Sequence, residues 1–207
     1  MHVARITFEF LRPVPVGHLS VSAGVRRPGR RVQLVDAVIT AEGEEVARAS
    51  ALLIRAAEVD IPAAATTALL PLPAVDDAPL QLGRAWFGNA FEFRTASGSG
   101  WDREGPCAMW GRLASPIVLG EAPTPLMRVV ALADFGNGIS RVLDFTHHLF
   151  INPDLTVSLH RMPVSEWILL DAVTRLDRSG IGLASAEISD LAGHIGRSQQ
   201  SLLVDLL

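Results

Sequence analysis

Apolar and polar residues alternate with a period of two over most of this chain, the spacing of strands that bury one face. Val3–Phe10 (VARITFEF) has this alternation and stops at Leu11-Arg-Pro-Val-Pro15, since proline cannot donate to a sheet ladder. The pattern predicts further strands over Leu19–Val25, Val32–Thr40 and Val46–Arg55, the last two forming a hairpin around Glu42-Gly43. Residues 56–85 are rich in Ala and Pro and read as a linker between two halves, with one turn of helix expected around Ala63–Leu70. Strands follow at Ala90–Thr95, Cys107–Leu113, Thr156–His160, Trp167–Arg175, Gly182–Ile188 and Ile195–Val204. One helix interrupts them. Thr124 is a good N-cap, Pro125 suits the first helical position, and Leu126, Val129, Val130 and Ala133 fall on one face before Gly136-Asn-Gly138.

The chain contains a faint copy of itself. Pairing Pro15 with Pro163 aligns VGHLSVSAGVRR with VSEWILLDAVTR, and pairing Gly43 with Gly193 aligns the two hairpins after a two-residue slip. Two copies of a unit this long indicate a duplicated β-rich fold rather than an array of repeats. The second half supplies a helix for its sheet; the first half has no segment that reads as one.

Composition narrows the chemistry. All 18 basic residues are Arg, so Schiff-base and lysine phosphate-loop mechanisms are excluded, and the absence of Tyr excludes a tyrosine acid or base. The net charge of −4 gives no electrostatic footprint for nucleic acid. Cys107 is the single cysteine, which rules out an intrachain disulfide and a cysteine metal cluster. No cationic-apolar leader opens the chain and no apolar run reaches membrane-spanning length, so a cytoplasmic protein is expected. His147 and His148 are adjacent, and neighbours in a strand point to opposite faces, so no metal site is expected there. Nothing in the sequence calls for a cofactor, and GNGIS at 136–140 departs from the nucleophile-elbow pattern.

FINPDLTVSLHRMPVSEWILLDAVTRL followed by GIGLASAEISDLAGHIGRSQQSLLV resembles the C-terminal half of the double-hotdog acyl-CoA thioesterases of the bacterial thioesterase II type. FEFLRPVPVGHLSVSAGVRRPGRRVQL resembles their N-terminal half. The resemblance implies an α+β fold of two tandem hotdog modules, each an antiparallel sheet around a central helix. Residues 1–55 would be an incomplete first module lacking its N-terminal strand and helix, and residues 86–207 a complete second one. It implies hydrolysis of acyl-CoA to free acid and CoA, in fatty acid metabolism, by a protein assembled as a dimer of double hotdogs. A catalytically weak or inactive acyl-binding protein on the same fold is the alternative. By motif, Asp134 in VVALADFGNG matches the family's catalytic Asp and Gln200 in SQQSLLV best matches its Gln, with the adjacent Gln199 as the alternative. Asn152 occupies the position of the family's hydroxyl residue, a departure, because an amide holds water but does not relay a proton. His160 and Arg161 are candidates for the CoA phosphates, and the missing first-module helix would leave an apolar sheet face exposed.

Overall fold

The computed structural model describes residues 1–62, 72–75, 87–98 and 104–207. The expected helical turn at 63–70, Asp76, Asp77, Trp86 and Trp101 lie outside the described residues. The first half forms β1 (His2–Phe10), β2 (Leu19–Arg27), β3 (Val32–Ala41) and β4 (Glu44–Ile54). The second half forms β5 (Phe91–Gly98), β6 (Cys107–Leu113), helices α1 (Pro125–Ala133) and α2 (Gly136–Ile139), then β7 (His148–Ile151), β8 (Asp154–Leu159), β9 (Trp167–Leu176), β10 (Ile181–Asp190) and β11 (Gly193–Leu206). The strands make a single antiparallel sheet in the order β2-β3-β4-β1-β8-β11-β10-β9-β6-β5, with β7 paired to the end of β11.

The order β2-β3-β4-β1 is repeated, reflected across the β1–β8 seam, as β9-β10-β11-β8. Thr7 pairs with Thr156 on that seam, and their hydroxyls hydrogen-bond at 3.0 Å across a separation of 149 residues. The same separation of 149 carries Thr7↔Ser50 onto Thr156↔Gln199, Leu19↔Ala41 onto Ile168↔Asp190, and Ile39↔Ala47 onto Ile188↔Gly196. A pseudo-two-fold axis therefore passes between the two threonines, and the β-bulges that follow Ile39 and Ile188 are equivalent. This corrects the sequence alignment by one residue in each segment: Gly43 corresponds to Ala192, not to Gly193. The turns differ in chemistry. Glu42 and Gly43 both take positive φ (52° and 84°), whereas Leu191 and Ala192 do not and the left-handed residue is the following Gly193 (φ 117°). The Asp190 carboxylate caps that second turn by accepting from Ala192 N at 2.9 Å.

The core lies in the second half. Thr124 Oγ1 accepts from Met127 N at 3.2 Å and starts α1, whose Val129, Leu132 and Ala133 are buried against the inward face of the sheet. That face carries Leu155, Val157, Ile168, Leu170, Ala186 and Ile188 in one cluster with the helix. Residues 72–75 pack on the opposite face. Leu72 and Val75 pack on Ala108, Trp110 and Leu169, and Trp110 Nε1 donates to Pro73 O at 3.1 Å.

Residues 1–62 contain no helix, and the face that α1 covers in the second half is uncovered in the first. Val21 is 70% exposed while its two-fold counterpart Leu170 is 1% exposed; Leu19 and Val25 are exposed as well. These side chains keep the apolar alternation of a buried face, and among the described residues no helix covers them, as the sequence led one to expect.

Candidate active site

Asp134 follows the last residue of α1, and Phe135 locks the chain there. Its ring is buried among Phe87, Phe91 and Phe93, with centroids 5.2 to 5.8 Å apart. Gln200 reaches the same place from β11 and is 1% exposed. Its amide orientation is fixed from both ends. Gln200 Oε1 accepts from Asn137 N at 2.9 Å, so Nε2 must face Asp134, where it donates to the carboxylate Oδ1 at 3.3 Å and to the carbonyl at 3.2 Å. Gly136 permits this approach, because a Cβ there would lie 2.9 Å from Gln200 Oε1.

Asn152, in the link between β7 and β8, donates from Nδ2 to Asp134 Oδ1 at 3.0 Å. Asp154 ties that link to β11 by accepting from Ser201 N at 2.6 Å and Ser201 Oγ at 3.3 Å. The structure thus brings Asp134, Asn152 and Gln200 to one point, with both amides donating to a single carboxylate oxygen. Asp134 Oδ2 and Asn152 Oδ1 have no protein donor among the described residues. Although Asp134 keeps an exposed outer edge, the surrounding protein penalises its charge and raises its pKa; the hydrogen bonds from Asn152 and Gln200 oppose that rise.

The structure does not bring His160 and Arg161 to this point. They follow β8 at its far end, about 25 Å of extended chain from Asn152. Arg161 is committed elsewhere: its Nη1 and Nη2 donate to Asp190 Oδ2 and Oδ1 at 2.9 and 2.6 Å, and the remaining donors bond the carbonyls of Met162, Gly193 and His194. A guanidinium with its donors occupied has none to offer a phosphate, so the expectation for Arg161 is corrected to a structural clamp. Burial alone would raise the pKa of the fully buried Asp190; the bonds from Arg161, Val164 N and Ala192 N outweigh it and hold the group below its ordinary value. His160 Nε2 lies 3.2 Å from His194 Nδ1, and His194 Nε2 lies 2.7 Å from Glu187 Oε2, on the outer face of the sheet.

Sequence reasoning missed Asn137. Its contribution to the site is a backbone N–H, which leaves no signature in residue identity; only the helical turn at Gly136–Ile139 could have pointed to it. Among the described residues no group of His, Cys, Asp and Glu stands close enough to hold a metal ion, and no helix is long and apolar enough to cross a membrane.

An antiparallel sheet packed on a helix is the hotdog arrangement, and solved structures agree on the fold. A hotdog protein of unknown function from Alicyclobacillus acidocaldarius superposes with a TM-score of 0.74 at 18% identity, over 98% of this chain and 78% of that one. A putative thioesterase II from Thermobifida fusca gives 0.73 at 14% identity, over 99% and 79% of the two chains. An acyl-CoA thioesterase II from Mycobacterium marinum gives 0.71 at 16%, over 99% and 81%. The models of the acyl-CoA thioesterase N-terminal and C-terminal domains match residues 1–54 and 62–204, and the chain belongs to that family. No curated protein sequence matches it.

Proposed function

We propose that this protein hydrolyses acyl-CoA thioesters to a free carboxylic acid and CoA, with Asp134 as general base for a water molecule. One observation carries the reading: both amides donate to Asp134 Oδ1, which leaves Asp134 Oδ2 and Asn152 Oδ1 as acceptors without a protein donor among the described residues. A water donating its two hydrogens to those acceptors turns a lone pair toward the thioester carbonyl. As the O–C bond forms, the proton passes to Asp134; as the C–S bond breaks, that proton goes to the departing thiolate. Gln200 and Asn152 act by fixing the carboxylate. In this reading residues 1–55 and 86–207 are the two modules and 56–85 their linker. The test is incubation of the purified protein with a panel of acyl-CoAs and a thiol-reactive chromophore. Stoichiometric release of CoA thiol supports the proposal, and no release from any chain length rejects it in favour of an acyl-binding protein.

The raised pKa of Asp134 makes a signed prediction. Hydrolysis requires the carboxylate, so kcat/KM falls as pH drops through that pKa. Asn152→Ala removes a hydrogen bond that stabilises the charged form, so the acidic limb of the profile is expected to move to higher pH. A limb that stays in place while the rate falls would mean that Asp134 is not the group titrating.

The uncovered first-half face gives a further expectation. Leu19, Val21 and Val25 form an exposed apolar row on an edge strand, which favours pairing with a second copy. Light scattering after gel filtration is expected to give a mass above the 22.2 kDa of one chain, and Val21→Asp to return it to that value. A wild-type monomer at micromolar concentration contradicts this.

A further inference from the structure

The β1–β8 seam has two ends. Asp134, Asn152 and Gln200 lie at one. At the other is a cleft of about 430 Å³. Val3, Ile54, Leu159 and Met162 give it apolar walls, and Arg55 and His160 stand among its lining residues. Shifting by 149 residues across the two-fold puts Val3 in place of Asn152 and Ala51 in place of Gln200. The cleft thus lies at the two-fold counterpart of the candidate site, with Val3 lining it where Asn152 stands in the second half.

Its surroundings are basic. Arg26 and Arg27 end β2, Arg30 and Arg31 follow in the turn to β3, and Arg55 N donates to Arg31 O at 2.8 Å, joining that turn to the cleft wall. Arg26 pairs with Asp36, whereas Arg27, Arg30, Arg31 and Arg55 make no ion pair among the described residues. The turn at the opposite end of the same strands carries Glu42, Glu44 and Glu45 instead. A chain of net charge −4 has therefore gathered unpaired cations beside an apolar cleft.

We propose that this cleft is a second, non-hydrolytic binding site for an amphipathic anion. The apolar chain lies against Val3, Ile54, Leu159 and Met162, and the anionic head meets Arg55 and Arg31. Arg161 lines the cleft but has its donors on Asp190 and carbonyls, so the head is assigned to Arg55 and Arg31. A free fatty carboxylate and an acyl-CoA share this chemistry.

The experiment is calorimetric titration of the full chain carrying Asp134→Asn, so that no turnover intervenes, with decanoate, decanol and decanoyl-CoA. Decanoate is expected to bind saturably and decanol about tenfold more weakly, the scale of losing charge-assisted contacts at an exposed rim. The double substitution Arg31→Gln, Arg55→Gln is expected to weaken decanoate by a similar factor with an unchanged melting curve, and Val3→Trp to block it. If decanoyl-CoA binds more tightly than decanoate and loses as much in the double variant, the CoA ester is the natural occupant; the reverse order assigns the free acid. No saturable binding, equal affinity for decanol, or affinity untouched by the double substitution overturns the proposal. So does binding that survives Val3→Trp but is lost with Gln200→Trp, which places the anion in the Asp134 site. These readouts are independent of hydrolysis.

Discussion

Asp134→Asn is expected to lower acyl-CoA hydrolysis by about a thousandfold, the middle of the range for loss of a positioned general base. The substitution keeps the shape of the side chain and the donors around it, and removes only the ability to take a proton from water. Folding is expected to survive. Asp134 has a folded-state pKa above its unfolded value, so its protonated form favours the fold and that contribution is lost as pH rises through the folded pKa. At neutral pH the charged carboxylate is therefore a mild liability, and the Asn variant should melt at the same temperature or slightly higher. Steady-state kinetics and a thermal melt on one preparation check both halves. Full activity in the variant removes Asp134 from the mechanism; lost activity together with a lowered melting temperature makes it a packing residue.

Arg161→Met is expected to cost about 3–5 kcal/mol of stability at neutral pH, because it leaves the Asp190 carboxylate buried without its cation. The pH dependence should change sign. In the wild type the Asp190 pKa is depressed, so its contribution is present above the unfolded pKa and is lost as pH falls through the folded one. In the variant, burial dominates and raises that pKa, so the damage is largest at neutral pH and shrinks as acid protonates the group. Urea unfolding at several pH values measures this. A variant of wild-type stability with a raised KM for acyl-CoA would instead return Arg161 to a phosphate-binding role.

The strands were legible because period-two alternation and Pro-Gly punctuation are local, and α1 because Thr124 and Pro125 mark its start within one turn. The register of the duplication was not. The two hairpins use different turn chemistry, so Gly43 and Gly193 attract each other in an alignment although the ladders place Gly43 opposite Ala192 in the superposition. β7 escaped because four residues, His148–Ile151, are too few to establish a period. At the site, Asp134, Asn152 and Gln200 were found by motif, whereas the partner that orients Gln200 is a main-chain group. Arg161 was misread for a related reason. Its partner Asp190 lies 29 residues away on another strand, and nothing local to HRMP distinguishes an arginine clamped by a carboxylate from one at a surface.

The central claim, that Asp134 activates water for direct attack on the thioester, is tested most directly by a single turnover in ¹⁸O-water with protein in excess over acyl-CoA. Direct attack puts one ¹⁸O into the released carboxylic acid and none into the protein. Unlabelled acid, with ¹⁸O found instead in the peptide containing Asp134, would show that the carboxylate attacked the thioester itself and would contradict the account.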